Sequence, residues 1–313
     1  MFTHVWTWEP VMIADLDTLL IALYVELTDR IIPSRGFTRR GPGGRPEVTD
    51  AELACIAVAQ VLLRFDDERH WLRAAPRLLG HLFPRLLRQS EYNDRLKHLA
   101  PLMEAALRWL AGATPASAEM LRLMDATPVP CGQSVITARR SDLYGYAGYG
   151  YCPSHSRWYW GAKLLIICTC DGTVTGFGLA NPKLHGEREQ ARQILSGQPA
   201  NRPVPGTAVV TDKGLSGQET EEFFTSDDLG LILIRPARKD DKQPRYFPNW
   251  LRQRVEAIIW TLKKQLGLER HGGRVPLGLW ARIVQRLLAL NTAIWFNWQI
   301  GAPVKRSLIA YDH

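Results

Sequence analysis

The sequence predicts an α/β fold in which helices flank a mixed β-sheet, preceded by an all-helical N-terminal region. Apolar residues recur at helical spacing up to about residue 118. From about residue 119, short apolar strands come first in hairpin order and then alternate with helices, which is the pattern of an α/β domain. The chain of 313 residues, 46% apolar and 22% charged, has the composition of one or two globular domains and not of a disordered, collagen-like or coiled-coil protein.

The first 46 residues are expected to form a helical arm and a linker. Residues 13–32 have the pattern of a short helical hairpin. The segment 34–46 is rich in glycine and proline, and both residue types interrupt regular structure, so it predicts the linker.

Residues 47–118 predict a helical region that binds DNA or dimerises. Thr49 and Glu52 form a capping box before an apolar run, which places a helix start there. Breaks in the helical pattern are expected at three prolines: Pro76, Pro84 and Pro101.

Within this region, segment 83–99 has the pattern of a turn followed by a helix. It is typical of the second half of a helix-turn-helix, whose second helix enters the major groove of DNA. A plain helical bundle has the same pattern, so both interpretations stay open. The polar side chains that this segment would offer to DNA are Arg88, Asn93, Arg95 and Lys97.

Residues 119–303 predict the α/β domain, and residues 304–313 a C-terminal tail. Asp171-Gly172 indicates a tight turn between the second and third strands. The expected strands are 121–126, 158–170, 173–179, 207–211 and 229–234, and the expected helices are 187–195, 217–225, 249–266 and 277–298.

Three acidic residues are candidates for catalysis. Asp125 ends the first predicted strand and Asp212 ends the fourth. If these strands are parallel neighbours, both carboxylates emerge at one edge of the sheet, where the active sites of α/β proteins lie. Glu256 lies on helix 249–266, beside its apolar stripe. On the same helix Arg252 and Lys263 lie one turn before and two turns after Glu256.

Such a set of residues fits the chemistry of a phosphodiester bond. Two Mg²⁺ ions can activate the attacking oxygen and neutralise the leaving oxygen, and Mg²⁺ prefers oxygen ligands from a few carboxylates. The cations Arg252 and Lys263 would contact the flanking phosphates. Each acid alone has an ordinary structural explanation as a turn, cap or ion-pair residue, and it is the joint pattern that favours catalysis.

Charge also points to a polyanionic partner. Residues 231–313 contain 15 basic and 5 acidic side chains, a net charge of +10, whereas the rest of the chain sums to −2. Within this part, the polar segment 235–245 is interrupted by proline and predicts a loop before the catalytic helix. Its Arg238 and Lys239 are candidates for contacts with the DNA backbone. Solvated surface arginine is the alternative explanation.

Other classes of protein fit poorly. The apolar run Leu19–Val25 is too short to span a membrane and follows no leader, so we expect a soluble intracellular protein. Five cysteines, an odd number, argue against a disulfide framework. A zinc site is conceivable, but buried thiols explain the cysteines better; the residues concerned are Cys152, His155, Cys168 and Cys170. No phosphate-binding G-x4-G-K-[ST] motif is present.

Four sequence motifs together resemble a known family. They are LMDATPVP around Asp125, YGYAGYGYCPSHSRWYWGAKL, VVTDKG around Asp212 and RQRVEAIIWTLKK around Glu256. The chain resembles bacterial insertion-sequence transposases with a DDE catalytic domain of the RNase H-like fold, especially the IS982 family of the IS4/IS5-related group. Arg252, Glu256 and Lys263 match the spacing of the Y-x2-R-x3-E-x6-K signature, while Asn249 stands at the tyrosine position.

The resemblance implies a DNA transposase that cleaves at the ends of an insertion sequence and joins the 3′-OH to target DNA. It implies Asp125, Asp212 and Glu256 as the metal-binding triad, with Mg²⁺, or Mn²⁺ in its place, as cofactor. The implied partner is double-stranded DNA, as terminal inverted repeats and as target, bound by a homodimer or higher oligomer in the bacterial cytoplasm near the nucleoid. A structure-selective nuclease and an inactive DNA-binding repressor on the same fold are the alternatives.

Overall fold

The computed structural model describes residues 15–36, 46–132, 134–152, 156–197, 202–237, 241, 247–304 and 308–311. The α-helices in these residues are α1 (Leu16–Glu26), α2 (Ile32–Arg35), α3 (Asp50–Leu62), α4 (Glu68–Leu79), α5 (Gln89–Gly112), α6 (Val135–Arg140), α7 (Glu187–Ser196), α8 (Gln218–Thr225), α9 (Asn249–Trp260) and α10 (Pro276–Gln299). The strands are β1 (Leu121–Gly132), β2 (Gly148–Cys152), β3 (Arg157–Cys168), β4 (Val174–Ala180), β5 (Ala208–Val210) and β6 (Ile232–Ile234).

The predicted α/β architecture is confirmed. β1 is central: it pairs antiparallel with β3 and parallel with β5, and β6 adds in parallel beyond β5. β2 and β4 pair antiparallel with successive parts of β3 on its other side. Four strands paired antiparallel (β1–β4), followed by two that add in parallel (β5 and β6), make an RNase H-like mixed sheet, with helices on both faces and the helical region before it.

Alternation along the strands gives the sheet two apolar faces. Leu123 and Val210 belong to one core, which continues into α9, α10 and the N-terminal helices. Met124 and Val209, their neighbours in sequence, belong to a second core beneath α7 and α8. Because side chains alternate along a strand, residues two positions from Leu123 or Val210 point to the first core, and residues two positions from Met124 or Val209 point to the second.

Helix α10 connects the sheet to the N-terminal helices. It is buried over almost all its length and packs on α5 and α3 as well as on β4. Asn291, fully buried, donates to the carbonyl oxygens of Leu107 on α5 (3.2 Å) and Val174 on β4 (2.9 Å) and accepts from the Val174 N–H (2.8 Å). The helical region and the sheet therefore share one hydrophobic core.

Several predicted helix boundaries were wrong. Residues 16–35 form one continuous helical stretch instead of a hairpin, with a π-helical turn at Leu27–Ile31. Pro76 and Pro101 lie inside α4 and α5, where packing against the core offsets the lost backbone hydrogen bond; of the three prolines, Pro84 lies in a connection. Residues 13–14 and 37–45 lie outside the described residues.

Strand β1 is longer than predicted, and β2 was not predicted. β5 pairs with β1 only as far as Leu123, so the edge of β1 beyond this residue has no strand beside it. Proline has no N–H and suits such an uncovered edge, which explains why Pro128 and Pro130 continue the strand instead of ending it. None of the helices in the described part of the chain has the length and apolar character to cross a membrane.

Candidate active site

The sheet register places Asp125 and Asp212 side by side. Leu123 lies opposite Val210 on the parallel strands β1 and β5. Two positions further along each chain, Asp125 and Asp212 therefore point to the same face, at the edge of β1 that β5 no longer covers. Asp212 Oδ1 also accepts a hydrogen bond from the Gly214 N–H at 2.8 Å, which fixes the carboxylate at the strand end.

All three candidate acids line one cavity of about 870 Å³. It opens beside the uncovered edge of β1, with α9 on one side and the start of α7 on the other. The charged residues on its wall, among those that the structure describes, are Asp125, Lys163, Glu187, Asp212, Arg252, Glu256 and Lys263. The fold thus brings acids from three distant parts of the sequence to one opening.

Helix α9 is held against the sheet by its apolar stripe and by Arg254. The predicted stripe is buried: Leu251, Val255, Ile258 and Leu262. Arg254 donates from Nε to the carbonyl oxygen of Cys170 (2.6 Å) and from its terminal nitrogen to that of Asp171 (2.8 Å), in the β3–β4 turn. These contacts fix the rotation of the helix, and so set where Glu256 meets the cavity.

Each cation on the cavity wall is paired with a glutamate in the described structure. The pairs are Arg252 with Glu256 (2.9 Å), Lys163 with Glu187 (3.0 Å) and Lys263 with Glu269 (3.1 Å). The side chains of Arg252 and Glu256 are 63% and 55% exposed. An exposed pair of this kind contributes no more than about 1 kcal/mol, so both groups are free to exchange partners when a ligand enters.

Asp125 and Asp212 make no ion pair within the described residues. Burial raises the pKa of Asp125 to about 7, and the hydrogen bond from the Ala126 N–H (2.8 Å) only partly opposes this. The negative charges of Asp212, Glu187 and Glu256 raise it further. Although Asp212 reaches the surface, desolvation by the cavity wall and then Glu187 raise its pKa too. Arg252 and Lys163 act in the opposite direction on Asp212, but neither of them forms an ion pair with it in the described structure.

A divalent cation would bring a positive charge to Asp125 and Asp212, and the donor chemistry of the site fits one. Asp125 and Asp212 offer the oxygen ligands that Mg²⁺ and Mn²⁺ accept, and Glu256 is a third carboxylate within the same cavity. Glu256 Oε1 accepts a hydrogen bond from Arg252 Nε at 2.9 Å. No group of three or more His, Cys, Asp or Glu side chains in the described residues is already arranged as a metal centre.

The cysteines behave as ordinary thiols. None of the five forms a disulfide bond in the described structure, and Cys168 is fully buried, with its Sγ 3.7 Å from the Leu123 carbonyl oxygen. His155, the histidine of the conceivable zinc set, lies outside the described residues.

The polar residues of segment 83–99 lie away from this cavity. Arg88 is exposed, just before α5. The others contact acids of the same helical region: Asn93 with Glu68, Arg95 with Asp50 and Lys97 with Asp94. Their contact with DNA stays a prediction, as does that of Arg238 and Lys239, which lie outside the described residues.

Sequence reasoning missed Lys163 and Glu187. Lys163 lies within an otherwise apolar strand, and this isolated charge was the available signal. Glu187 begins α7 and is indistinguishable in sequence from an ordinary first-turn acid. In the structure, Glu187 Oε2 and Asp212 Oδ1 lie 2.2 Å and 2.9 Å from the point where a Cβ at Gly214 would stand, so both carboxylates occupy space that a side chain at this position would take.

Comparison with known proteins gives the family. The model of the Transposase DDE domain matches residues 116–292, more than half of the chain, and this range includes Asp125, Glu187, Asp212 and Glu256. No curated protein matches. One solved structure that is similar is the cryo-EM structure of the piggyBac transposase synaptic complex with hairpin DNA, with 10% identity, a TM-score of 0.46 and coverage of 97% of this chain and 80% of that one. On the domain match, this chain belongs to the Transposase DDE domain family.

Proposed function

We propose that the chain is an insertion-sequence transposase of the IS982-like kind, which cleaves DNA at the ends of its element and joins the freed 3′-OH to target DNA. The observation that carries this proposal is the single cavity that receives Asp125, Asp212 and Glu256, in which the first two make no ion pair within the described residues and have raised pKa values. The family supplies the reaction class, and the cavity supplies residues suited to it.

In this proposal Asp125, Asp212 and Glu256 are the ligands of Mg²⁺, or of Mn²⁺ in its place. When bound, these ions neutralise charge on the attacking and leaving oxygens of an in-line phosphoryl transfer. The chain itself positions the acids by the β1–β5 register and by the docking of α9. Arg252 and Lys163 limit the repulsion between the acids and a phosphate, since both lower the pKa of Asp212.

The remaining assignments extend the same proposal. Residues 47–118 read the terminal inverted repeats, and Arg252, Lys263, Arg238 and Lys239 contact phosphates of the bound DNA. The active form is a homodimer or higher oligomer, because two DNA ends have to be processed together. The boundaries proposed for the arm, the helical region, the catalytic domain and the tail are 1–46, 47–118, 119–303 and 304–313.

Substitution of the acids tests the function. The substrate is linear DNA that carries the sequences flanking the gene, with Mg²⁺ present. Asp125→Asn, Asp212→Asn and Glu256→Gln should each lower cleavage by at least about a thousandfold, as expected when one acid of a unit is removed. Their DNA affinity should change little. Asp227→Asn, an exposed acid outside the cavity, is the matched control and should cleave like the wild type.

The products separate the proposal from its alternatives. A transposase cuts at the inverted repeats and joins the 3′-OH to a second DNA. Cutting without regard to the repeats, and without joining, would indicate a structure-selective nuclease. Tight binding with no cleavage under any divalent cation would indicate a repressor. Full cleavage activity in any of the three acid variants would refute the assignment of these acids to the catalytic site.

A further inference from the structure

The hydroxyl group of Tyr159 is a buried polar group that has no part in the proposed metal site. Tyr159 is 6% exposed, lies on β3 and lines the catalytic cavity. Its Oη has no hydrogen-bond partner within the described residues. Leaving a buried hydroxyl without a partner costs free energy, and native proteins rarely do so without a ligand, water or function at that position.

The Tyr159 hydroxyl lies over Gly150, and the Tyr159 side chain lines the cavity. Cys152 and Glu187, both on the cavity wall, are the neighbours that act on the Tyr159 pKa. Burial first, and then these groups, raise that pKa to about 12, so the phenol keeps its proton and can donate a hydrogen bond at neutral pH.

Tyr159 shares one side of β3 with Lys163. Side chains alternate along a strand, so positions 159, 161 and 163 point the same way, and the residue between the two is Gly161, which has no side chain. Lys163 is held at the cavity by Glu187 at 3.0 Å. A neutral donor and a cation therefore lie along the same wall.

The fold keeps space for the hydroxyl. Gly150 of β2 lies opposite Tyr159 in the β2–β3 register. A Cβ at Gly150 would stand 2.6 Å from Tyr159 Oη, closer than such atoms approach in proteins. Glycine at this position is therefore what lets the hydroxyl occupy its place.

We propose that Tyr159 donates a hydrogen bond to a phosphate oxygen of the DNA strand that enters the cavity, beside Lys163. An anionic acceptor fits this wall because Tyr159, a donor that keeps its proton, lies next to the cation Lys163. A phosphate group of DNA carries no hydrogen of its own, so it accepts hydrogen bonds from both groups. This inference rests on the proposed function and adds a substrate-positioning residue to the cavity wall opposite α9.

Tyr159→Phe removes the hydroxyl and leaves the ring. Because the hydroxyl has no described protein partner, the melting temperature should stay equal or rise. The loss of a hydrogen bond to a charged group should weaken DNA binding, measured by fluorescence anisotropy on the flanking-sequence duplex, by about ten- to a hundredfold, with a similar loss in kcat/KM for cleavage.

Tyr92→Phe is the matched control. The buried Tyr92 hydroxyl donates to Gln60 Oε1 at 2.8 Å, away from the cavity. Its removal should lower the melting temperature and leave DNA affinity unchanged. The two variants should thus show opposite patterns of stability and binding.

Replacing single phosphates by neutral methylphosphonates identifies the acceptor. At one position the substitution should weaken wild-type binding strongly and Tyr159→Phe binding hardly at all. Equal affinity of Tyr159→Phe and wild type, or a Tyr92-like fall in melting temperature without loss of affinity, overturns the inference. If the wild type binds this duplex but never cleaves it, the proposed function fails while the affinity comparison still decides on Tyr159; if it does not bind, both fail.

Discussion

At Asp125 a carboxyl group lies half-buried beside three other acids, within β1 just past the point where β5 stops pairing with it, and this position decides how it behaves. A carboxylic acid with a pKa of about 7 is half protonated under neutral conditions unless a cation holds it ionised. Under the proposed function, a proton and a metal ion would therefore compete for the same oxygens. His271 is also a buried titratable group, but it lies outside the candidate active site, and burial affects the stability of the fold through it.

Metal binding should depend on pH through Asp125. The ligand is the carboxylate, so below pH 7 the proton has to leave before the metal binds. The Mg²⁺ concentration for half-maximal cleavage should rise as pH falls from 8 to 6, approaching about tenfold per unit below the pKa. Chelation of the metal should abolish cleavage reversibly. A half-maximal concentration that stays constant over this range would contradict the electrostatic account.

Protonation of His271 should destabilise the protein. Its Nε2 donates to the Pro130 carbonyl oxygen and its Nδ1 accepts from the Gly273 N–H, both at 3.0 Å, so the neutral ring fits and an added proton at Nδ1 does not. Burial lowers the pKa of His271 to about 4 from 6.5. The unfolded chain therefore takes up the proton first, and the stability present above pH 6.5 is lost as pH falls toward 4.

The full effect is about 3 kcal/mol in the free energy of unfolding. Urea unfolding at several pH values measures it, and His271→Gln serves as the control, because the part of the pH dependence due to His271 should disappear in that variant. Carboxylates that titrate in the same range affect both proteins alike. Identical pH slopes in wild type and variant would rule out the assignment.

At the scale of elements, the strands and helices of the α/β domain were predictable because their apolar periodicity reflects burial. The limits of the strands were not. The first strand was predicted to end at residue 126, but β1 continues through Pro128 and Pro130. Its edge beyond Leu123 has no neighbouring strand, and the local sequence does not show this feature of the folded chain. Likewise Pro101 is accommodated in α5 because α10 packs against that helix. In α9 the apolar stripe correctly predicted the buried face of the helix. The sequence did not predict that Arg254 anchors the helix to the β3–β4 turn.

Loss of the Arg254 anchor should impair catalysis more than DNA binding. Arg254→Met removes the hydrogen bonds to Cys170 and Asp171 and should destabilise the protein by about 2 kcal/mol, the range for bonds from a charged donor. Because Glu256 then loses its fixed position, cleavage should fall by about tenfold or more at saturating DNA. Arg254→Lys should recover part of this rate.

Arg252→Met is the control for stability. Its ion pair with Glu256 is exposed, so urea unfolding should change by less than about 1 kcal/mol. If Arg254→Met cleaves at the wild-type rate, α9 does not need this anchor, and the position of Glu256 has another cause.

In the whole molecule, the candidate site combines acids that are far apart in the sequence: Asp125 and Glu256 are separated by 131 positions. The three acids could be proposed from sequence because each follows a recognisable strand or lies on a patterned helix. Lys163, Glu187 and Tyr159 could not, since their relevance depends on which edge of the sheet faces the cavity. The connection of the helical region to the sheet through α10 is likewise a property of the folded chain.

That connection predicts cooperative unfolding. Asn291 links α5 and β4, so Asn291→Ala leaves buried backbone groups without partners and should cost about 2–4 kcal/mol. The helical region and the sheet should still unfold in a single transition, seen at the same urea concentration by circular dichroism and tryptophan fluorescence. Two separate transitions, with only one shifted by the substitution, would show independent domains instead.

If Asp125, Asp212 and Glu256 hold divalent ions against DNA, those ions can be located by anomalous scattering from Mn²⁺ in crystals of the protein with its end DNA. We expect anomalous density bounded by the carboxylates of Asp125 and Asp212, and its loss in the Asp125→Asn variant with the DNA still bound. Mn²⁺ bound elsewhere while this cavity holds DNA alone would contradict the account.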